Sequence, residues 1–356
     1  MIKIYNGEIK TNLILFFATI AIGCSSNEEE PTLSCGIYEG EVYLKSQSEV
    51  EEFGKCNYSE ITGGLGIEDR DSNSLIRDLS SLNSLTLIRG GINISNTREL
   101  KTLEGLNNAF SNETLNLSGN IKLENIDGLD KMQPNNLQIS KNKALQNLDA
   151  LVYDSNSVIT IAINECPLLK NLNCFSNINL ITHSLVITNN QGLEVLDGLQ
   201  NVESVGIKLK TNDPLAVYIS DNINLKNIDG LIGLRAVYRG MHIARNKSLE
   251  DIDGLSNVVT YNGDLFINDN TSLLTIDGLS QITQYKNLNI NNSKIENLNG
   301  LSFVNKITGD LIIANNRSLT NFCGLKNLFE NNGLEGLYNF ALNAYNPYDI
   351  LSDCNN

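Results

Sequence analysis

Six aspartates recur in the same short context, an apolar residue, the Asp, then Gly or Ala and an apolar residue. They are Asp127, Asp149, Asp197, Asp229, Asp253 and Asp277. If these positions are stacked in space, neighbouring carboxylates repel each other by about 1 kcal/mol even in water. One interpretation is a solvated carboxylate that accepts hydrogen bonds from backbone amides at a chain corner. The other is a row of weak divalent-cation sites, since hard cations prefer carboxylate oxygens. Asn173, Asn299 and Cys323 interrupt the row, which favours the first interpretation and leaves calcium binding open.

Groups able to act as a general base are few. The two histidines, His183 and His242, fall in different segments, and the sequence contains no nucleophile elbow and no phosphate-binding loop. Glycan-cleaving enzymes need paired carboxylates or a positioned base in one groove, and no such set can be assembled here. The sequence therefore predicts a protein without catalysis and without a cofactor, with a carbohydrate-active enzyme as the alternative.

Charge narrows the range of partners. The chain has 26 basic and 41 acidic side chains, a formal net charge of −15. Nucleic-acid binding needs clustered cations, so we expect no nucleic-acid partner.

Cysteines lie mainly near the two ends of the expected fold. After Cys24 six remain, an even number that permits three disulfides in an oxidising compartment. We expect one disulfide, Cys35–Cys56, near the start and another, Cys323–Cys354, near the end. A third, Cys166–Cys174, is a weaker expectation.

A repeat must position all of these groups. Ten segments share the form L-x-I-x-x-N-x-x-L-x-x-I-D-G-L, and their last apolar residues recur every 22 to 24 residues, with one interval of 32. The segments are 92–106, 115–129, 137–151, 161–175, 185–199, 217–231, 241–255, 265–279, 288–301 and 311–325.

Each repeat position has a structural interpretation. L-x-I alternates like a short strand with its apolar side chains inward. The Asn suits an inward amide bonded to neighbouring backbone, and Gly in D-G tolerates a corner. A unit of this length cannot bury a core alone, but stacked units can. We therefore predict an all-β fold, a right-handed parallel β-helix, or solenoid, of about ten leucine-rich turns with disulfide-stapled caps.

The extended pattern L-x-x-I-x-G-x-L-x-I-x-x-N-x-x-L resembles the receptor L-domain, the leucine-rich β-helix lobe of some receptor ectodomains that also occurs in bacterial lipoproteins. The match covers residues 61–325 and implies a binding function without identifying a ligand. Residues 35–60 resemble an N-terminal cap with a short helix around Gln47–Phe53, and residues 326–356 resemble a closing cap.

The N-terminus indicates export and lipid anchoring. Residues 1–23 contain the apolar run LILFFATIAI, too short to span a bilayer and typical of a signal peptide. The sequence AIGC, residues 21–24, resembles the lipobox of bacterial lipoproteins, which implies lipidation of Cys24. Residues 24–34 predict a flexible acidic tether. The acidic run also resembles a surface-export signal, so we expect an outer-membrane lipoprotein facing outward. A periplasmic orientation is the alternative.

One face of the repeat differs between turns. The middle residue of L-x-I points outward, and in turns five to eight it is Val186, Tyr218, His242 and Phe266. An exposed apolar row beside short side chains is typical of a binding surface. The long interval adds an excursion at Lys208–Ala216, which includes Lys210 and Asp213 and would stand beside this row. Stacking that only stabilises the sheet is the alternative.

Together these features predict a monomeric, lipid-anchored cell-surface module for adhesion or recognition of a protein or glycan ligand. The alternatives are the enzyme named above and a structural spacer with no specific ligand.

Overall fold

The computed structural model of the protein describes residues 35–207, 215–347 and 349–354. Strands dominate, and most of them form one long parallel sheet. Thirteen strands of the described residues follow one another in chain order across this sheet: Val42–Leu44, Leu65–Glu68, Ile92–Ser95, Thr114–Ser118, Asn136–Ser140, Ser157–Asn164, Leu180–Thr188, Leu215–Ser220, Gly240–Ala244, Leu265–Asn268, Leu288–Asn291, Leu311–Ala314 and Tyr338–Asn339. The expectation of an all-β fold with parallel strands is confirmed.

Shorter elements lie between these strands. Ser204–Val205, Ala236–Val237 and Thr260–Tyr261 pair in that order and branch from the strand Leu180–Thr188 of the long sheet. Ile37–Tyr38, Glu60–Ile61 and Leu87–Ile88 form a second sheet, and Gln284–Tyr285 and Lys306–Ile307 form a third. Single 3₁₀ turns cover Ser80–Leu82, Asn173–Phe175, Asp229–Leu231, Asp253–Leu255, Asp277–Leu279, Asn299–Leu301 and Cys323–Leu325. The α-helices are Gln47–Gly54, Lys326–Glu330 and Ile350–Asp353.

The pairing register puts equivalent repeat residues side by side. Leu265 pairs with Met241 on one side and with Leu288 on the other. Leu265 and Ile267 are buried while Phe266 between them is half-buried, which is the alternation predicted from L-x-I. The buried apolar residues of all the turns form a single core, as expected when units too small to have their own core are stacked.

Buried asparagines tie each turn to its neighbours. The Asn246 side-chain nitrogen donates to the Ile219 carbonyl at 2.8 Å, and its side-chain oxygen accepts from the backbone N–H of Asn222 at 3.1 Å. Both partners lie in the preceding turn, so one amide satisfies two backbone groups that are shut off from water. The same arrangement recurs at Asn120, Asn142, Asn190, Asn222, Asn270 and Asn316, and we call this row the asparagine ladder.

The glycine of the D-G corner is explained by close packing. A Cβ on Gly254 would lie 2.0 Å from the carbonyl oxygen of Ile228, and one on Gly278 would lie 2.0 Å from that of Ile252. Such distances are far inside van der Waals contact, so only glycine fits without movement of the backbone. The repeat pattern indicated only that glycine tolerates a corner at this position. The structure gives close approach of the preceding turn as the more general reason.

Both ends have additional elements over the core. The predicted N-terminal helix is present as Gln47–Gly54, and its N-cap, Ser46, accepts a hydrogen bond from the backbone N–H of Glu49. At the other end the Cys323–Cys354 disulfide joins the last 3₁₀ turn to the end of Ile350–Asp353. In the described part of the chain, no helix is long and apolar enough to cross a membrane.

Candidate functional site

The outward residues of the long sheet form one continuous row, because the strands are parallel and paired in register. Tyr218 pairs with Val186 and with His242, and His242 pairs with Phe266. We call this row the outward column; in order it contains Tyr43, Gly66, Asn93, Asn116, Gln138, Ala162, Val186, Tyr218, His242, Phe266, Asn289, Ile312 and Asn339.

Four neighbours in this column form an apolar strip. Val186, Tyr218, His242 and Phe266 are each half-buried, and we call them the outward strip. The Tyr218 and His242 rings meet edge-to-face with centroids 6.2 Å apart, and the His242 and Phe266 rings do so at 6.1 Å. Edge-to-face contacts between rings are favourable in themselves, so each ring restricts the next. The structure therefore brings together the four residues that the sequence grouped.

Short side chains beside the strip are buried. Ser184, Ala216, Ser220, Ala244 and Asp264 are all buried. The rings of the strip consequently stand above their surroundings, where a partner can reach their edges.

Charged groups adjoin the strip on one side. Arg245 contacts Asp221 through two hydrogen bonds of 2.7 Å each, a bidentate pair. This contact lowers the pKa of Asp221. Burial lowers the pKa of His242, and the positive charge of Arg245 adds to the effect. At neutral pH, His242 is therefore an uncharged ring within the strip.

The excursion predicted beside the strip is only partly described. Lys208, Lys210 and Asp213 lie outside the described residues, as does Cys24. The excursion itself is shorter than predicted, because Leu215 and Ala216 already belong to the strand Leu215–Ser220. The sheet register shifts between Leu215 and Val217, and from Val217 onward the strand pairs as the repeat predicts.

Within the described ranges of the chain, the carboxylates of the six corner aspartates accept no hydrogen bond from a backbone N–H, although one interpretation of the sequence expected it; the Asp197 carboxylate accepts from the Gln200 side chain. At five corners the N–H of the Asp donates to the side chain two residues earlier, at 3.1 Å in each case: Asn125 for Asp127, Asn147 for Asp149, Asn227 for Asp229, Asp251 for Asp253 and Thr275 for Asp277. The polar residue before each Ile-Asp is the signal for this bond in the sequence.

The aspartates themselves are exposed, including Asp229 and Asp253. Partial burial raises the pKa of Asp253, and Asp251, Asp277 and Asp229 add to the shift through like-charge repulsion. Among the residues that the structure describes, no group of three or more His, Cys, Asp or Glu side chains is placed to hold a metal ion.

The cysteines differ in state. Cys323 and Cys354 are joined, as predicted. Cys35 and Cys56 are separate thiols, although their backbones are bonded at 2.7 Å and the Cys56 thiol contacts that of Cys35. The weaker expectation of a Cys166–Cys174 disulfide is not met, because both remain thiols.

Cys166 and Cys174 belong to different structural features. Cys166 takes the place of an asparagine in the ladder and its N–H donates to Asn190. Cys174 lies in the 3₁₀ turn Asn173–Phe175. Cys166 and Cys174 therefore occupy two positions of one turn that pack differently, which explains why their thiols are not joined.

Comparison with known proteins adds no relationship: no family model matches the chain, and no curated protein matches it.

Proposed function

We propose that the protein is a lipid-anchored cell-surface module, without catalysis, that binds a protein or glycan ligand. The outward strip carries this proposal. Val186, Tyr218, His242 and Phe266 are adjacent on four paired strands, and the three rings contact one another while remaining half-exposed. Rigid aromatic side chains lose little conformational entropy on binding, and they are enriched in the residues that contribute most to interfaces.

A purely structural role explains the strip less well. The core beneath the sheet is complete without it, since the inward residues Val217, Ile243 and Ile267 are fully buried. The buried asparagine ladder joins the same turns independently of the outward side chains. Stability therefore does not require large rings outside, and polar residues occupy the same column at Asn93, Asn116 and Gln138.

The proposed scaffold is a right-handed solenoid that resembles a receptor L-domain, with turns over residues 61–325 between caps at 35–60 and 326–356. Backbone hydrogen bonds between successive turns outside the long sheet support a closed coil. The N–H of Glu250 donates to the Lys226 carbonyl at 2.8 Å, and that of Leu274 donates to Glu250 at 2.9 Å. We propose that disulfides staple both caps.

Location follows from the sequence features described above. We propose that residues 1–23 are removed, that Cys24 is lipidated, and that residues 24–34 tether the domain to the outer face of the bacterial outer membrane. Acyl chains add roughly 0.8 kcal/mol per buried CH₂, so several chains hold such a protein firmly. Protease treatment of intact cells tests the orientation: loss of the domain supports outward exposure, and its protection supports the periplasmic alternative.

The binding function is tested by screening the domain against an array that carries both glycans and host matrix proteins. The wild-type protein is compared with a Tyr218→Ser/Phe266→Ser double variant and with Ile312→Ser. Ile312 lies in the same outward column, two strands beyond Phe266, and serves as the matched control. We expect the wild type and the Ile312 variant to bind the same probe and the double variant to lose it. If neither the wild type nor a variant binds any probe, the result would support a structural spacer. Release of sugar from a probe would support an enzyme.

A further inference from the structure

A second, chemically different surface occupies the N-terminal part of the outward column. Tyr43 is its first residue and is 63% exposed. Tyr43 pairs with Gly66, and its ring lies over this glycine: a Cβ on Gly66 would lie 2.6 Å from Cδ1 and 3.0 Å from Cε1 of the ring. The ring thus occupies the space of the missing side chain and leaves its other side open. The Tyr43 hydroxyl donates to Glu41 Oε2 at 2.6 Å, which holds the ring in this position.

A groove runs from this ring across the first turns. Its volume is about 480 Å³, within the range of small-molecule sites. Two glycine pairs, Gly63–Gly64 and Gly90–Gly91, form one side, and a Cβ on Gly64 would lie 2.9 Å from the carbonyl oxygen of Gly91. Close packing of the turns therefore keeps side chains off this wall, and the backbone is open to a ligand.

Amides form the other side of the groove. Asn93, Asn116 and Gln138 are successive residues of the outward column, and Thr114 lies beside them. Asn116 Nδ2 donates to Asn93 Oδ1 at 2.9 Å. Each amide has two donors and a two-lone-pair oxygen, so this bond leaves donors and acceptors on both side chains. Sugar hydroxyls also both donate and accept hydrogen bonds, so the row of amides can pair with them.

Charge decides between classes of sugar. Of the residues that line the groove within the described chain, Glu41 is the one that carries a formal charge, and it is negative. The whole chain is also acidic, at −15. An acidic polysaccharide would meet repulsion here without a cation to offset it. Parallel strands are about 4.8 Å apart, so the column from Tyr43 to Gln138 spans about 19 Å, which is long enough for several sugar units.

We propose that this groove binds a neutral oligosaccharide, with one sugar ring stacked on Tyr43 and its neighbours hydrogen-bonded by Asn93, Asn116 and Gln138. The exposed face of an aromatic ring can stack on the apolar face of a pyranose, while the row of amides forms hydrogen bonds with the hydroxyls. This site is separate from the outward strip and does not depend on the ligand of the strip.

The test uses calorimetric titration of the full-length protein with four neutral hexasaccharides, from cellulose, laminarin, mannan and starch, and with hexagalacturonate as the acidic probe. We expect at least one neutral probe to bind and the acidic probe not to bind. Tyr43→Ala should weaken the neutral binding at least tenfold, and Asn116→Ala should weaken it severalfold. Tyr43→Phe keeps the ring and should retain most of the affinity.

Unchanged melting temperatures show that these variants are folded, and the Tyr218→Ser/Phe266→Ser double variant should bind the oligosaccharide like the wild type. Loss of binding in that double variant, but not in Tyr43→Ala, would place the sugar on the outward strip and overturn the proposal. Failure of all four neutral probes to bind, or binding of hexagalacturonate alone, would overturn it as well.

Discussion

The imidazole of His242 meets the ring of Phe266 edge-to-face, with centroids 6.1 Å apart, on neighbouring strands of one parallel sheet. The contact exists because the repeat keeps every strand in register, so that a residue of one turn always faces its equivalent in the next. The regular scaffold thus places residues that differ between repeats next to one another on a continuous surface. The same relationship places Tyr43 over Gly66 at the other end of the column.

Protonation of His242 should destabilise the fold. Burial lowers its pKa below the ordinary value of 6.5, so the stability contributed by neutral His242 is fully present above pH 6.5. It is lost as the pH falls from 6.5 toward the lowered pKa, because only the unfolded chain then binds the proton. Melting temperatures measured from about pH 8 to about pH 5 should decline more for the wild type than for His242→Phe. Parallel declines in the two proteins would contradict this expectation.

Cys166→Asn should stabilise the protein. The Cys166 N–H already donates to Asn190. The Cys166 thiol, however, stands where other turns have an asparagine amide that donates to a carbonyl of the preceding turn. An asparagine at this position would satisfy that buried carbonyl, a gain of about 1 kcal/mol in the free energy of unfolding. Urea titration measures the change. The reverse substitution, Asn246→Cys, should lower stability, and a loss with Cys166→Asn would show that the turn cannot admit the larger side chain.

Asp253→Asn should stabilise the protein at neutral pH. Burial and nearby carboxylates raise the pKa of Asp253 above 3.8 in the folded state. The favourable contribution of the protonated form is therefore complete below pH 3.8 and is lost as the pH rises through the raised pKa. Asn already occupies the equivalent corners at Asn173 and Asn299, so the geometry accepts it. Denaturant unfolding should show a more stable variant at pH 7 and no difference at low pH. An equal gain at both pH values would contradict the electrostatic explanation.

Cys35 and Cys56 should form a disulfide under oxidising conditions. Their thiols interact, and the hydrogen bond between them raises the pKa of Cys35. Oxidised glutathione would accept the two electrons and two protons as the S–S bond forms. Closing a loop of about 20 residues should stabilise the protein by about 3 kcal/mol. Mass spectrometry should detect the loss of two hydrogens beyond those lost at Cys323–Cys354, and persistence of both thiols would contradict the prediction. Cys35→Ser removes the effect and serves as the control.

Much of the architecture could be predicted from the spacing of the repeat. The L-x-I pattern located Leu265–Asn268 and Leu288–Asn291, because burial of one side of a strand imposes a period of two. The inward asparagines followed from the need to satisfy buried backbone groups. The 3₁₀ turn at Asp253–Leu255 was not predicted, since three residues are too few to show a helical period.

Close approach and distant pairing were harder to foresee. The reason for Gly254 lies in the Ile228 carbonyl of another turn, a contact that no local pattern reveals. The groove beside Tyr43 was missed because Gly66 precedes the ten aligned segments, and only sheet pairing brings these two residues together. The outward strip was predictable because each of its members falls at the same position of the repeat.

The proposed binding function is tested most directly by the dissociation constant for the strongest array probe whose binding is unaffected by Tyr43→Ala, so that ligands of the Tyr43 groove are set aside. The measurement compares the wild type, the Tyr218→Ser/Phe266→Ser double variant and Ile312→Ser, all with melting temperatures checked. Two central aromatic residues should contribute about 1 to 2 kcal/mol each, so we predict at least tenfold weaker binding by the double variant and an unchanged constant for Ile312→Ser. Equal constants for all three proteins would contradict a binding role for the outward strip.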